Sequence, residues 1–239
     1  MCTVSYIKYN GQYFFTSNRD ENVNRQSAHH PQKIEHGNLS LYYPEDPVGK
    51  GTWFCVKKNG TICILLNGAQ KKHVSNGPYI KSRGIVLLEL IKNSNIMLGW
   101  EEMCLEKTEP FTVVAFSQGS LFQLRWNGME KEMIELNSDE AHIWSSATLY
   151  SEDIMAQRKI WFEEFLKDVH YKIDSQKILT FHTDTQKENT ENGLIIDRNN
   201  NMLTKNITQC ILRKHDFTIT HLDLLTDEKT MLEDEIVVA

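Results

Sequence analysis

The chain has 239 residues, 40% hydrophobic and 24% charged, long enough to bury a substantial core and typical of a soluble globular protein. A formal net charge of −6 with no rival basic block argues against a general nucleic-acid binder. Five scattered cysteines (Cys2, Cys55, Cys63, Cys104, Cys210) form no C-x-x-C pair, so neither a disulfide framework nor a structural zinc site is expected.

From the N terminus, Cys2 follows Met1 and opens the alternating run Thr3-Val4-Ser5-Tyr6-Ile7. Lys8 and Asn10 interrupt that run, so no signal peptide is expected, and no segment approaches the ~18 apolar residues of a membrane span. The default compartment is reducing and cytoplasmic. Thr3–Tyr9 and Tyr13–Ser17 flank Asn10-Gly11, which predicts a hairpin with a tight turn. The polar tetrapeptide Asn18-Arg19-Asp20-Glu21 follows directly, and a polar connection containing His29-His30 comes next. A second hairpin pairs Thr52–Lys57 with Thr61–Leu66 about Asn59-Gly60; its second strand is apolar throughout and so covered on both faces. Ser82 caps a helix whose Ile85, Val86, Leu88, Leu90 and Ile91 pack on a sheet. A third hairpin runs Phe111–Phe116, turns at Gln118-Gly119 and returns through Leu121–Trp126.

The clearest helix is Glu152–His170, capped by Ser151, with Ile154, Arg158, Trp161, Phe162, Phe165, Leu166 and Val169 at helical spacing. That stripe reads as core. Lys177–Phe181 continues as a short helix, and Thr183–Asn201 reads as a surface loop around a short Leu194–Ile196 strand. Ile207–Arg213 and Phe217–Leu224 are closing strands ahead of an acidic tail. Strands, then helices, then strands again indicate one α+β domain, residues 1–239, in which helices cover antiparallel sheets.

Cys2 carries the chemistry. A small residue at position 2 permits removal of Met1, which leaves a thiol and a free α-amine on one residue. The amine titrates near ~7.7–8.0 and the thiol near ~8.5, so the amine can act as base for its own side chain near neutrality. A two-residue turn lays the second strand antiparallel to the first and brings Asn18–Glu21 beside Cys2. A solvated turn is the plainer reading of such a tetrapeptide; its position sets this one apart. An arginine there favours thiolate, and a carboxylate holds the amine or orients the arginine.

Met-Cys-Thr, a hairpin and then Asn-Arg-Asp-Glu resembles the NRDE family, the transport and Golgi organisation protein 2 group. That family is similar to N-terminal-nucleophile hydrolases such as penicillin V acylase and bile salt hydrolase. Gly51-Thr52-Trp53, Leu66-Asn67-Gly68 and Ser82-Arg83-Gly84 also match the family, so the resemblance covers most of the chain. It implies a four-layer αββα sandwich of two antiparallel sheets between helices, with Cys2 as nucleophile and its own amine as base. Arg19 and Asp20 resemble the arginine and aspartate that flank the nucleophile, with a slip of about one position that also offers Asn18 or Glu21 for those places. Asn67 resembles the asparagine of the oxyanion hole, a kind of donor that contributes a factor of ~10²–10³ in rate when preorganised.

Two departures accompany the resemblance. Ser146 stands where the hydrolases carry a second active-site asparagine, and Lys205 where they carry a late arginine; lysine keeps the charge and loses the planar fork. Further candidates are His73 behind Lys71-Lys72, which can line the site mouth, and Arg83, which can bind a carboxylate or make a salt bridge. His29 and His30 can contact substrate or a metal, an exposed loop pair being the plainer reading. Cys55, Cys63 and Cys210 fall in strands and read as buried apolar residues. The implied activity is cleavage of a linear, non-peptide amide C–N bond in a small-molecule substrate, with no cofactor, metal, nucleic-acid partner or membrane span. The alternative is a non-catalytic carrier of haem or of lipid and acyl-CoA on the same fold, which the Ser146 and Lys205 departures favour. A protein-interaction module of the secretory pathway has only the family name behind it.

Overall fold

The structure is a computed structural model describing residues 2–75, 77–170, 172–199 and 201–237, with Cys2 described by its backbone. In chain order the first elements are strands β1 (Cys2–Tyr9), β2 (Gln12–Asn22), β3 (Gln32–His36), β4 (Leu39–Tyr43), β5 (Phe54–Lys57) and β6 (Ile62–Asn67). Helices α1 (Arg83–Lys92) and α2 (Ile96–Glu102) follow, then β7 (Phe111–Ser117), β8 (Ser120–Trp126), β9 (Lys131–Leu136) and β10 (His142–Ser145). Helices α3 (Glu152–Asp168) and α4 (Ser175–Asp184) precede β11 (Asp197–Arg198), β12 (Met202–Leu212), β13 (Asp216–Asp223) and β14 (Glu228–Glu235). The chain divides into two compact units, residues 1–25 with 139–233 and residues 26–138 with 234–239. Each is built on an antiparallel sheet, so the α+β class expected from the sequence holds.

The first unit carries strands in the order β10-β1-β2-β12-β13-β14, with β11 paired to β12. The hairpin turns on Asn10 and Gly11, both at positive φ (50° and 72°), which a glycine and an asparagine tolerate best. On one side of this sheet, Ile7, Phe14 and Ile211 pack against Phe162 of α3 and Ile178 and Phe181 of α4. This side is called the rear face below. The opposite, front face carries Val4, Tyr6 and Phe15, with the Tyr6 and Phe15 rings 5.1 Å apart. Ser151 caps α3 as expected, its side chain accepting from the Ile154 N–H.

The second unit orders its strands β3-β4-β5-β6-β7-β8-β9. Its core includes Leu41, Phe54, Ile62, Ile64 and Phe111, with Trp100 of α2 edge-on to Phe111 at 5.9 Å. Helix α1 packs on β5 and β6, capped by Ser82. Gly51 and Gly84 explain two of the matched motifs. A Cβ on Gly51 would lie 2.4 Å from the Gly84 carbonyl carbon, so the strand entry and the helix start touch backbone to backbone.

Several elements differ from the sequence reading. Asn18–Glu21 continues β2 instead of leaving it, because Asn18, Arg19 and Asp20 are buried, Glu21 is half-buried, and all four side chains have partners. The connection around His29-His30 leads into β3 and β4, and the acidic tail contributes β14, an edge strand with alternating exposure. The short strand expected at Leu194–Ile196 is displaced to Asp197–Arg198; Leu194 and Ile196 are buried without pairing as strand. Helix α2 and strands β9 and β10 carry too little periodicity to have been read. Cys55, Cys63 and Cys210 are buried as expected. No described helix is long and apolar enough to cross a membrane.

Candidate active site

In the first unit, strand register builds a polar row across the front face. Cys2 pairs with Arg19, Arg19 with Asn206, and Asn206 with Asp223. Ser146 is one residue past Ser145, the partner of Thr3, which brings its backbone level with Cys2. The next row is Val4, Ser17, Thr208 and His221, and the one after it Tyr6, Phe15, Cys210 and Ile219. The face therefore grades from apolar at the hairpin turn to polar at the Cys2 end.

Arg19 is 3% exposed, and its Nη2 lies 3.4 Å from Glu21 Oε2. Burial pushes the Glu21 carboxyl up, but its surroundings, the Asn22 N–H and the Arg19 and Arg25 guanidiniums among them, hold the group below its ordinary value. The register of β12 against β2 shifts between Thr204 and Asn206, which makes Lys205 the extra residue of a β-bulge. The bulge re-aims its neighbours: Thr204 points rearward, and Asn206, two positions on, points forward beside Arg19. Lys205 donates to the Val23 carbonyl at 3.0 Å and to that of Arg25. Burial and the nearby Arg19 charge lower its pKa.

The rear face of the same strands carries a second polar cluster. Asp20, fully buried, accepts from Tyr150 Oη and Thr204 Oγ1, both at 2.7 Å. Burial raises its pKa and the Arg158 charge opposes the rise. Arg158 stacks 3.6 Å above the Tyr150 ring and donates to Thr3 Oγ1, to the Gly193 carbonyl and, at 3.2 Å, to the Asn192 carbonyl. Asn18 donates to the carbonyls of Leu194 (2.8 Å) and His182 (3.1 Å). Its Oδ1 receives the His182 Nδ1 proton at 2.6 Å, so Nε2 accepts from Ser5 Oγ at 2.7 Å. Burial and the Arg158 charge push the His182 pKa down to about 3, so the ring is neutral.

The sequence candidates thus separate. Arg19 and Glu21 share the front face with the backbone level of Cys2 and Ser146, whereas Asn18 and Asp20 point the other way, toward α3, α4 and their flanking loops. Ser146 is buried, its Oγ 2.9 Å from Thr148 Oγ1. Asn67, His73 and Arg83 belong to the second unit. Asn67 ends β6 opposite Phe111, before Gly68 at φ +85°. Glu109 joins the other two, lying 3.2 Å from His73 Nε2 and 2.9 Å from Arg83 Nη2. Tyr150, His182, Thr204 and Asn206 were not singled out from the sequence, and Arg158 was read only as part of a core stripe. Its charge within an apolar stripe was the available signal. Among the described residues, no group of three or more His, Cys, Asp or Glu is placed to hold a metal.

The model of the family described as Transport and Golgi organisation 2 matches residues 1–228. The chain belongs to this family. No curated protein sequence matches it. Among solved structures, a cysteine-to-alanine variant of the conjugated bile acid hydrolase from Clostridium perfringens is similar, with TM-score 0.56 and 11% identity, over 100% of this chain and 98% of that one. A Caenorhabditis elegans N-acylethanolamine-hydrolyzing acid amidase ortholog is similar at TM-score 0.57 and 14% identity, over 87% of this chain and 92% of that one. An arginine-to-leucine variant of the same bile acid hydrolase gives TM-score 0.54 at 11% identity. This family member therefore has the fold of the N-terminal-nucleophile hydrolases.

Proposed function

We propose that the protein is an N-terminal-nucleophile hydrolase that cleaves a linear, non-peptide amide in a small molecule. The observation that carries the proposal is the pairing of Cys2 with Arg19, whose buried guanidinium is ion-paired to Glu21 at one end of the front face. The backbone of Cys2 lies directly opposite that of Arg19 on the neighbouring strand. A buried cation one strand away favours thiolate over thiol. Once Met1 is removed, the α-amine of Cys2 takes the thiol proton, the sulfur attacks the amide carbonyl, and the amine returns the proton to the leaving nitrogen. Water then releases the acyl group from sulfur.

In this reading Glu21, not Asp20, is the carboxylate that orients Arg19 and the amine. Asn18 and Asp20 are positioning residues, which fix strand β2 from behind. The hydrolase names of the two structural relatives, a bile acid hydrolase and an N-acylethanolamine-hydrolyzing amidase, support an acyl amide as the substrate class. Mass spectrometry of the purified protein tests the first step: loss of Met1 and one fast-alkylating thiol at Cys2 are expected. Turnover of an N-acyl amide panel, abolished in Cys2→Ala, tests the rest. A retained Met1, or turnover that survives Cys2→Ala, overturns the reading.

A second reading, a carrier that binds without turnover, draws on Lys205 and Ser146. The Lys205 ammonium is tied to two backbone carbonyls, and the Ser146 hydroxyl lies beside that of Thr148. Haem or acyl-CoA titration that gives saturable binding, in a protein without amide turnover, selects it.

A further inference from the structure

Among the buried polar atoms of the front face with no hydrogen-bond partner among the described residues are Asn206 Oδ1 and Ser17 Oγ. Asn206 is 2% exposed and Ser17 fully buried. Buried polar atoms are almost always paired, because an unmet one forfeits its bonds to water. The two residues are diagonal neighbours on adjacent strands, since Ser17 pairs with Thr208 and Asn206 with Arg19. Asn206 faces forward only because the bulge at Lys205 breaks the alternation of β12. With Lys205 paired regularly and no bulge, alternation would put it on the rear face with Thr204, among the partnered groups there. The bulge thus places an amide carbonyl on the front face and leaves it unmet.

We propose that Asn206, assisted by Ser17, is a specificity residue that receives a hydrogen-bond donor of the substrate. This rests on the hydrolase reading above and narrows its substrate class. Adjacent strands lie ~4.8 Å apart, so Asn206 stands about 10 Å across the sheet from Cys2. The amide that fits carries an O–H or N–H some 10 Å from the carbonyl under attack, with a plain alkyl chain excluded at that point. A site built to bond a hydroxyl discriminates strongly against the analogue lacking it, because binding that analogue buries the acceptor unmet.

The test uses matched pairs of N-acyl amides, each pair differing only in a hydroxyl or its methyl ether, placed on the acyl or on the amine arm. Wild-type protein is expected to prefer the hydroxyl member of at least one pair by on the order of 10²-fold in kcat/KM. Asn206→Leu, close in volume, is expected to level that pair to within about 3-fold while leaving Cys2 alkylation unchanged. It is also expected to raise the melting temperature, because it replaces an unmet polar group with an apolar one. A lowered melting temperature shows that the amide serves the free fold and overturns the proposal. So does a preference that persists in Asn206→Leu, or an equal loss for both members together with slower Cys2 alkylation. Calorimetry on Cys2→Ala with the same pairs separates this inference from the hydrolase reading. Preferential binding of the hydroxyl member, lost on adding Asn206→Leu, upholds the subsite even where no pair is turned over. Turnover without any preference sinks the subsite and leaves the hydrolase.

Discussion

Arg19 and Asp20 are consecutive in the chain and face opposite sides of one sheet. Arg19 lies forward with Glu21, and Asp20 lies rearward with Tyr150 and Thr204. Side chains of a strand alternate, so no local rotation can bring both charges to Cys2. The family tetrapeptide is therefore two devices interleaved at a period of two residues. Arg19 and Glu21 address the front face, level with the backbone of Cys2, while Asn18 and Asp20 anchor the strand that carries them.

Substitutions should separate the two devices. Arg19→Gln is expected to raise the pH midpoint of Cys2 alkylation by about 1 unit, since it removes the cation that favours thiolate. Asp20→Leu is expected to leave that midpoint in place and to cost about 3–5 kcal/mol of stability in denaturant titration. It strands two buried hydroxyls and leaves Arg158 without its counter-charge. An alkylation midpoint that moves equally in both variants would refute the division of roles.

Acid should expose His182. Its folded pKa of about 3 lies below the ordinary 6.5, so between these values the unfolded chain binds a proton that the folded chain refuses. Stability contributed by the neutral ring is whole above pH 6.5 and declines as pH falls toward 3, by on the order of 2 kcal/mol at pH 5. Asp20 acts in the opposite sense, because its raised pKa lets the folded state take a proton before the unfolded one. In His182→Gln the loss of stability between pH 7 and pH 5 is expected to shrink measurably. Equal slopes for wild type and variant in urea titrations at the two pH values would exclude the assignment.

The hairpins were legible because their turns need positive φ and the sequence supplies Asn10-Gly11 and Gln118-Gly119 there. The helices at Arg83 and Glu152 were legible from their serine caps and apolar stripes. What escaped has a common cause. Asn18–Glu21 and the acidic β14 are strands whose side chains are polar on both faces or exposed at an edge, so alternation of hydrophobicity leaves no trace. The site was half legible: the turn fixes Cys2 opposite Arg19, a local fact. The partners of the rear face, Arg158 to Thr3 and His182 to Asn18, are 155 and 164 residues apart in sequence and depend on how the helices pack.

Arg158 should behave as a structural cation. Its guanidinium bonds Thr3 and two carbonyls while stacking on Tyr150, a geometry that needs a planar fork. Arg158→Met is expected to destabilise the protein by about 3–5 kcal/mol, because Asp20 loses a buried cation that offsets its burial and the carbonyls lose their donors. Arg158→Lys keeps the charge without the fork and should recover only part of that loss. Thr3→Val removes one acceptor and should cost about 1–2 kcal/mol. Full recovery in Arg158→Lys, read from denaturation midpoints, would show that the charge alone matters.

Gly51→Ala tests why the matched glycines are there. A Cβ at position 51 meets the Gly84 carbonyl carbon at 2.4 Å and the Ile85 nitrogen at 2.6 Å, and neither backbone atom can swing aside as a side-chain tip does. Helix α1 must back away from the strand entry at Thr52, whose N–H reaches the Gly84 carbonyl at 3.4 Å. Because α1 also buries Val86, Leu87, Leu90 and Ile91, that retreat opens the core beneath it. The cost is expected at the upper end of the about 1–3 kcal/mol typical of overpacking, or beyond it. Gly37→Ala is the control: nothing lies within 4 Å of its Cβ, and its penalty comes only from a φ of +64°, about 1 kcal/mol. If the two variants lose equal stability in thermal denaturation, the backbone contact between the two motifs is not what requires glycine at position 51.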